Sequence, residues 1–228
     1  LQDSSAASDV YKRQIIIFIF YMIIPYNSIF RFIILTCRKY NIDESHGLLH
    51  SMDVLNKAEN IINFDNNINK LSVDKEVVYT SALLHDMCDK KYMDERLGVY
   101  NLKRFLINDL NYNIEKVNVI GDIINTMSYS KVKKNGLPDL SDYQLEYNIV
   151  READLLAAYD IDRAIIYNMT KTNNDFEKAF VNSKQLYYDR MAKHHEDELF
   201  TFDYTKSEGK KLNADCLQKI SDYNKMLQ

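Results

Sequence analysis

Apolar residues recur at intervals of three and four positions along most of the chain. Residues 46–62 show this best, with seven apolar side chains in that register: Leu49, Met52, Val54, Leu55, Ala58, Ile61 and Ile62. The interval matches one face of an α-helix. Asp43 or Ser45 can cap the N-terminus of this helix. Because no segment of the sequence shows the strong alternation of a half-buried strand, we predict an all-α protein.

The same interval predicts helices on both sides of this segment. They cover residues 28–39, 74–88, 94–108, 114–129, 141–159, 161–169, 175–195 and 208–226. Residues 64–69 are rich in Asn and Asp and are predicted as a loop. Residues 130–139 are basic and contain Asn135-Gly136 and Pro138, so they are also predicted as a loop. With only 5 glycines, 2 prolines and no internal repeat, residues 22–228 are predicted to form one helical domain.

Residues 1–21 are set apart from this domain as a leader of non-native or untranslated-region origin. Residues 9–14 resemble the in-frame translation of a transposon end used to prepare sequencing libraries, and the alternative is a disordered polar N-terminus. The apolar run at 15–24 is too short for a bilayer span, which needs about 20 residues. We favour translated non-coding sequence here, with Met22 as a natural start. A signal or anchor segment and a buried first helix are the alternatives.

Charge and cysteine content restrict the partners and the compartment. The formal net charge is −4, so no overall positive field favours a nucleic-acid polymer or an anionic membrane as partner. The cysteines, Cys37, Cys88 and Cys216, show neither the CxxC spacing of a metal site nor a disulfide framework. Because free thiols are typical of a reducing compartment, we expect a cytoplasmic protein.

Side chains of the types that bind metals interrupt the apolar faces of three predicted helices. His46 and His50 are four residues apart, so they share one face of a helix. His85 and Asp86 end an otherwise apolar helix, and Asp154 lies within an apolar helical face. Charged side chains are rarely buried unless they are paired or bind a metal. These positions are therefore candidates for a metal site.

Three sequence blocks carry these residues: SHGLLH at 45–50 followed by Val54, LLHDMCDKK at 83–91, and IVREADLLAA at 149–158. In this order and spacing they resemble the HD-domain superfamily of metal-dependent phosphohydrolases. The resemblance is to its small stand-alone branch, which includes bacterial nucleoside-triphosphate pyrophosphohydrolases. It covers residues 37–170 and is weak over the C-terminal helices at 173–228. It implies a single compact HD-domain helical bundle.

The resemblance implies a metal site made of His50, His85, Asp86 and Asp154. Two imidazoles and two carboxylates suit one divalent ion, with Mn²⁺ preferred and Fe²⁺, Co²⁺, Ni²⁺ or Mg²⁺ as alternatives. Such an ion lowers the pKa of a bound water towards about 7 and polarises a phosphoryl oxygen. The expected activity is hydrolysis of a phosphate ester or anhydride in a small phosphorylated substrate, and we favour a nucleotide.

The same resemblance suggests roles for other residues of the blocks. Asp89, together with Asp86, is assigned to catalysis because it can orient or deprotonate the attacking water; a surface acid is the alternative. His46, Lys90 and Lys91 are assigned to substrate binding, although lysines at a helix end also interact with its dipole. Two further groups are predicted to be solvated. For Lys131, Lys133 and Lys134 the alternative is that they fold over an anionic substrate, and for His194-His195-Glu196-Asp197 the alternative is a metal cluster.

Two departures from the family pattern leave the substrate open. The relatives have Arg directly after the last metal-binding Asp and a further Asp two residues later, where this chain has Leu155 and Ala157. The alternative function is therefore a catalytically weak regulatory module that binds a nucleotide or a metal. A membrane-anchored enzyme that uses residues 15–36 is a third hypothesis and is not favoured. The apolar surfaces of the last two helices leave a homodimer open.

Overall fold

A computed structural model describes residues 24–228, which form ten α-helices and contain no β-strand. The all-α prediction is confirmed for these residues. The helices are α1 (Tyr26–Tyr40), α2 (Leu48–Phe64), α3 (Lys75–Leu84), α4 (Glu95–Asn108), α5 (Ile114–Thr126), α6 (Tyr129–Asn135), α7 (Gln144–Ala157), α8 (Ile161–Lys171), α9 (Phe176–Asp189) and α10 (Asp203–Met226). The predictions for residues 1–23, including the start at Met22, lie outside the described residues.

Three helices that pack against one another, α2, α3 and α7, form the centre of the bundle. Helix α3 is enclosed on all sides, and every residue from 77 to 84 is buried. Helix α7 is almost as enclosed, with buried residues at ten of its fourteen positions. A helix that is buried all round must be surrounded by other helices. This central position is what brings the ends of α2, α3 and α7 close together.

The remaining helices cover this centre. Helix α1 packs on α2 and α3, while α5 packs on α3 and α4. Helices α8 and α9 form a closely packed pair, and α10 contacts α7, α2 and α8. Between residues 24 and 228, none of the helices combines the length and the apolar character that crossing a membrane requires.

A buried carboxylate joins α7 to the start of α10. Glu152 is fully buried and accepts hydrogen bonds from the backbone N–H of Thr201 at 3.0 Å and from Thr205 Oγ1 at 2.5 Å. Its neighbour Arg151, also buried, donates to it at 3.0 Å. A buried charge needs such partners, because leaving it unpaired is strongly destabilising. The network therefore fixes the start of α10 against α7.

Residues 130–139 are not the loop that their composition predicted, because residues Tyr129–Asn135 form helix α6. Val132 is buried and anchors this short helix to the rest of the protein. Gly136 ends the helix with a φ of 77° and a ψ of −177°, a backbone conformation that essentially only glycine adopts. The Asn-Gly pair therefore marks the end of a helix, and the prediction of a loop holds only beyond it.

The predicted helix at 175–195 is interrupted, and the interruption places a histidine in the interior. Helix α9 ends at Asp189, and residues Met191–Lys193 form a 3-10 turn. His194, which follows this turn, is only 2% exposed. Its ring lies 5.6 Å from that of Tyr129 and 5.4 Å from that of Tyr159. The prediction of a solvated cluster is therefore wrong for His194, because Tyr129 on α6 and Tyr159 in the turn after α7 enclose its ring.

Candidate functional site

The three central helices bring the predicted metal ligands together at one place. His50 lies in the first turn of α2, His85 and Asp86 directly follow α3, and Asp154 lies in the last turn of α7. The Nε2 atoms of His50 and His85 are 3.2 Å apart. Asp86 Oδ2 is 3.4 Å and 3.2 Å from these two nitrogens, respectively. Asp154 Oδ1 is 3.6 Å from each of them.

Two predicted helix boundaries are wrong, and both differences shape the site. Helix α2 begins at Leu48 because a 3-10 turn, Glu44–His46, precedes it. His46 therefore reaches the site from this turn and does not share a helix with His50. Helix α3 ends at Leu84, so His85 already occupies its C-terminal cap position.

Three of these residues, His50, His85 and Asp86, form a group able to hold a divalent metal ion, and Asp154 Oδ1 approaches both imidazole nitrogens. Metal–ligand bonds near 2.1 Å place adjacent ligand atoms about 3.0 Å apart in an octahedron and about 3.4 Å apart in a tetrahedron, and the separations here are 3.2–3.6 Å. His85 Nδ1 donates to the carbonyl oxygen of Ala82 at 2.8 Å, so its Nε2 is free to bind an ion when the ring is neutral. His50 Nδ1 and Asp86 Oδ2 are buried without a hydrogen-bond partner among the described residues.

Burial and neighbouring charges shift the protonation of the whole cluster. Burial lowers the pKa of His50 to about 4, and Arg163 acts in the same direction. Burial would also lower the pKa of His85, but the Asp86 and Asp154 carboxylates outweigh it and raise this pKa to about 9. Burial opposes ionisation of the two carboxylates, yet the imidazoles hold the pKa of Asp86 well below its usual range and that of Asp154 at about 2. The carboxylates thus favour a positive charge between them.

His46 lies at the edge of the cluster in a hydrogen-bonded network of its own. Its Nδ1 is 2.7 Å from Ser45 Oγ and 3.0 Å from the hydroxyl of Tyr92, which donates to Asp43 at 3.0 Å. Lys91 Nζ is 3.4 Å from His46 Nε2. Because an ammonium group can only donate, Nε2 accepts and the ring proton is assigned to Nδ1. Burial lowers the pKa of His46, so the ring is neutral near pH 7.

One cavity of about 430 Å³ contains all eight residues assigned to the site from the sequence. Besides the four candidate ligands and His46, its lining includes Asp89, Lys90 and Lys91. The Asp89 carboxylate accepts the backbone N–H of Lys91 at 2.8 Å and pairs with Lys91 Nζ at 3.0 Å. Asp89 is therefore held in one orientation at the wall of the cavity.

Sequence reasoning missed several cationic side chains of this cavity. Arg163, on α8, lines it and donates from Nη1 to the carbonyl oxygen of Ser45 at 3.0 Å. Arg190, after α9, also lines it and lies over the ring of Tyr129, 6.0 Å from its centroid. Neither arginine belongs to a sequence block. One indirect indication of them is present in the sequence. Leu155 stands where members of the HD superfamily have Arg, so an arginine of this site has to come from elsewhere in the chain.

The prediction of a solvated basic segment is wrong for Lys131. This residue lies on α6, lines the cavity and forms an ion pair with Glu95 of α4. Lys133 agrees better with the prediction, because its side chain is 51% exposed, although it pairs with Asp197 at 2.5 Å. Helix α6 thus presents one lysine to the cavity and another to the surface.

Comparison with known proteins identifies solved structures of the same fold. No protein-family model matches the chain, and a search of curated proteins finds no match either. Among solved structures, the chain is similar to Bacillus subtilis YpgQ in complex with ADP, with a TM-score of 0.61 and 22% identity over 87% of this chain and 96% of that one. It is also similar to a Lactobacillus plantarum protein, with a TM-score of 0.64 and 19% identity over 88% of this chain and 95% of that one. At these identities the likeness shows a shared fold.

Proposed function

We propose that this protein is an HD-type metal-dependent phosphohydrolase that cleaves a phosphate ester or anhydride of a nucleotide. The observation that carries the proposal is the meeting of two buried imidazole nitrogens with two carboxylates, each within 3.6 Å of both nitrogens. The blocks that resemble the HD superfamily supply these residues in the family's order. The fold shared with YpgQ, whose structure contains ADP, supports a nucleotide as the ligand.

The four residues of the cluster would hold one divalent ion, and mixed imidazole and carboxylate ligands are consistent with Mn²⁺. A bound ion supplies a water of lowered pKa and polarises a phosphoryl oxygen. The chain contributes positive charge around this point, because Lys90, Lys91 and Arg163 line the same cavity. Such side chains form strong hydrogen bonds with phosphate oxygens. Asp89, at the cavity wall, orients or deprotonates the attacking water.

His46 acts on the substrate side of the site. Its Nδ1 faces Ser45 and Tyr92, and its Nε2 accepts from Lys91. These contacts hold a neutral ring at the edge of the cavity. The ring in turn limits the positions open to the Lys91 ammonium. This restriction holds the positive charge at the cavity, where it can bind a phosphate.

A regulatory module that binds a nucleotide without turnover is the second candidate. Leu155 and Ala157 motivate it, because they replace charged residues of the relatives. Both side chains are buried, at 4% and 2% exposure. These two residues therefore belong to the core and do not line the cavity. Arg163 and Arg190 bring positive charge to the cavity from other helices. For this reason we favour the enzyme.

Product analysis separates the two candidates. The protein is incubated with Mn²⁺ and a panel of nucleoside mono-, di- and triphosphates, and the products are resolved by anion-exchange chromatography. Many turnovers per protein molecule on one nucleotide would support the hydrolase, and phosphate or pyrophosphate among the products would identify the bond. Saturable nucleotide binding in equilibrium dialysis, without any product, would support the module instead.

A further inference from the structure

A second cavity, of about 220 Å³, adjoins the one that holds the metal-ligand cluster. The two lie side by side, because His46, Lys91, Tyr129, Arg163 and Arg190 line both of them. Sites for whole small molecules span roughly 300–1,000 Å³. The second cavity therefore has the size of one part of a ligand whose remainder lies in the first.

The character of the lining changes from cationic at this boundary to aromatic and apolar inside. The side chains that only the second cavity contacts are mostly of this kind: Ala164, Tyr167, Leu186, Met191 and His194. The rings of His46 and Tyr167 are 5.4 Å apart, and those of Tyr129 and His194 are 5.6 Å apart. Aromatic side chains so placed offer faces and edges to a planar ring. The second cavity therefore favours a flat, largely apolar group.

A third cavity next to the cluster has the opposite character. It shares Lys90, Glu95, Asn125, Ser130 and Lys131 with the first cavity and no residue with the second. Its lining adds Arg96 and Lys134, and among the described residues it has no aromatic side chain. Of the two cavities that flank the first, the second therefore offers the better contacts to a planar apolar group.

We propose that the second cavity receives the nucleobase of the substrate, while Arg163 and Arg190 at the boundary contact its phosphates. This inference rests on the proposed action on a nucleotide. It adds where the nucleoside binds and which way the nucleotide is oriented relative to the metal-ligand cluster. Guanidinium groups match phosphate oxygens with paired hydrogen bonds. Every nucleobase has a planar face that stacks on aromatic side chains. The bound nucleotide then extends from the second cavity, which holds its base, past the two arginines to the metal-ligand cluster, which its phosphates approach.

Filling the second cavity tests this inference. Leu186 lies on α9 and lines the second cavity but not the first, so Leu186→Trp blocks the base and leaves the metal-ligand cluster unchanged. Val181→Trp is the matched control, because Val181 is 51% exposed on the same helix and lines neither cavity. Dissociation constants are measured by calorimetry with Mn²⁺ for a nucleoside triphosphate and for inorganic tripolyphosphate, which has no base.

The expected result is selective. Leu186→Trp weakens binding of the nucleotide by roughly five- to 150-fold, the worth of one stacked base, and leaves tripolyphosphate binding unchanged, while Val181→Trp binds both like the parent. Equal weakening of both ligands, unchanged nucleotide binding in a folded variant, or no nucleotide binding by the parent would each overturn the inference. If Leu186→Trp does not fold, Tyr167→Ala removes a ring from the same cavity and should weaken nucleotide binding selectively.

Binding and turnover, measured on the same proteins, separate this inference from the proposed activity. Selective weakening of nucleotide binding by Leu186→Trp in a protein without turnover would support the base site and contradict the hydrolase. Turnover that proceeds with the same KM in the parent and in Leu186→Trp would support the hydrolase and contradict the base site.

Discussion

The charges of the metal-ligand cluster make its affinity for metal depend on pH in a specific way. Despite burial, Asp86 and Asp154 raise the pKa of His85 to about 9, whereas burial lowers that of His50 to about 4. Between these values the cluster carries one proton, on His85, and a metal ion must displace it. Raising the pH from about 7 to about 8 should therefore tighten Mn²⁺ binding about tenfold.

Two histidines with ordinary pKa values would behave differently. Most of both rings would already be neutral at pH 7, and the same step in pH would tighten binding by less than about twofold. The stability of the metal-free protein changes in the opposite sense. Because the folded pKa of His85 lies above the unfolded value, its protonation contributes stability that is fully present below about pH 6.5 and is lost as the pH rises to about 9.

Electron paramagnetic resonance reports free Mn²⁺ directly in anaerobic titrations at the two pH values. Calorimetry in buffers of different protonation enthalpy should count about one proton released per ion at both. His85→Gln is the control, because an amide cannot hold the proton; it should bind Mn²⁺ more weakly and without the step in affinity. An affinity ratio below about two in the parent, with no proton released, would refute this charge balance. Equal Mn²⁺ affinity in His85→Gln and the parent would remove His85 from the site.

Three further results are expected. Glu152→Ala should lower the free energy of unfolding in urea by about 3–5 kcal/mol, because it leaves the buried guanidinium of Arg151 without its carboxylate; a loss below about 1 kcal/mol would contradict this. Asp154→Asn should weaken Mn²⁺ binding by more than about tenfold with unchanged circular dichroism, and equal affinity would remove Asp154 from the site. Burial lowers the pKa of His194 to about 4, so its protonation opposes folding as the pH falls from about 6.5 to about 4, by up to about 3 kcal/mol. His194→Phe should reduce this acid sensitivity in urea unfolding, whereas equal slopes in both proteins would contradict it.

The central helices could be predicted from the sequence because their apolar residues are both periodic and dense. Helix α3 is the clearest example, since its buried run from residue 77 to 84 leads directly into His85 and Asp86. Because His85 and Asp86 are adjacent in the sequence, they can be placed together without knowing the tertiary structure. His50 and Asp154 could be added only because the sequence blocks resemble a family in which such residues meet.

Other features depend on contacts that local patterns do not encode. His194 follows a break in a predicted helix and is enclosed by Tyr129 and Tyr159, which come from distant parts of the chain. Helix α6 forms despite its basic composition because Val132 is buried. Arg163 and Arg190 have no distinctive neighbours in sequence and reach the cavity only through the packing of α8 and α9. The cationic and aromatic walls of the site therefore required the structure.

In the proposed function, the cluster of His50, His85, Asp86 and Asp154 holds an ion on which nucleotide hydrolysis depends. The most direct test is the rate of Mn²⁺-dependent hydrolysis of a nucleotide by the parent, by Asp86→Ala and by Asp142→Ala, a control at an exposed carboxylate that does not line the cavity. Activity is expected in the parent and in Asp142→Ala, and its loss is expected in an Asp86→Ala variant that is folded by circular dichroism. Hydrolysis by folded Asp86→Ala at the parent rate would contradict it.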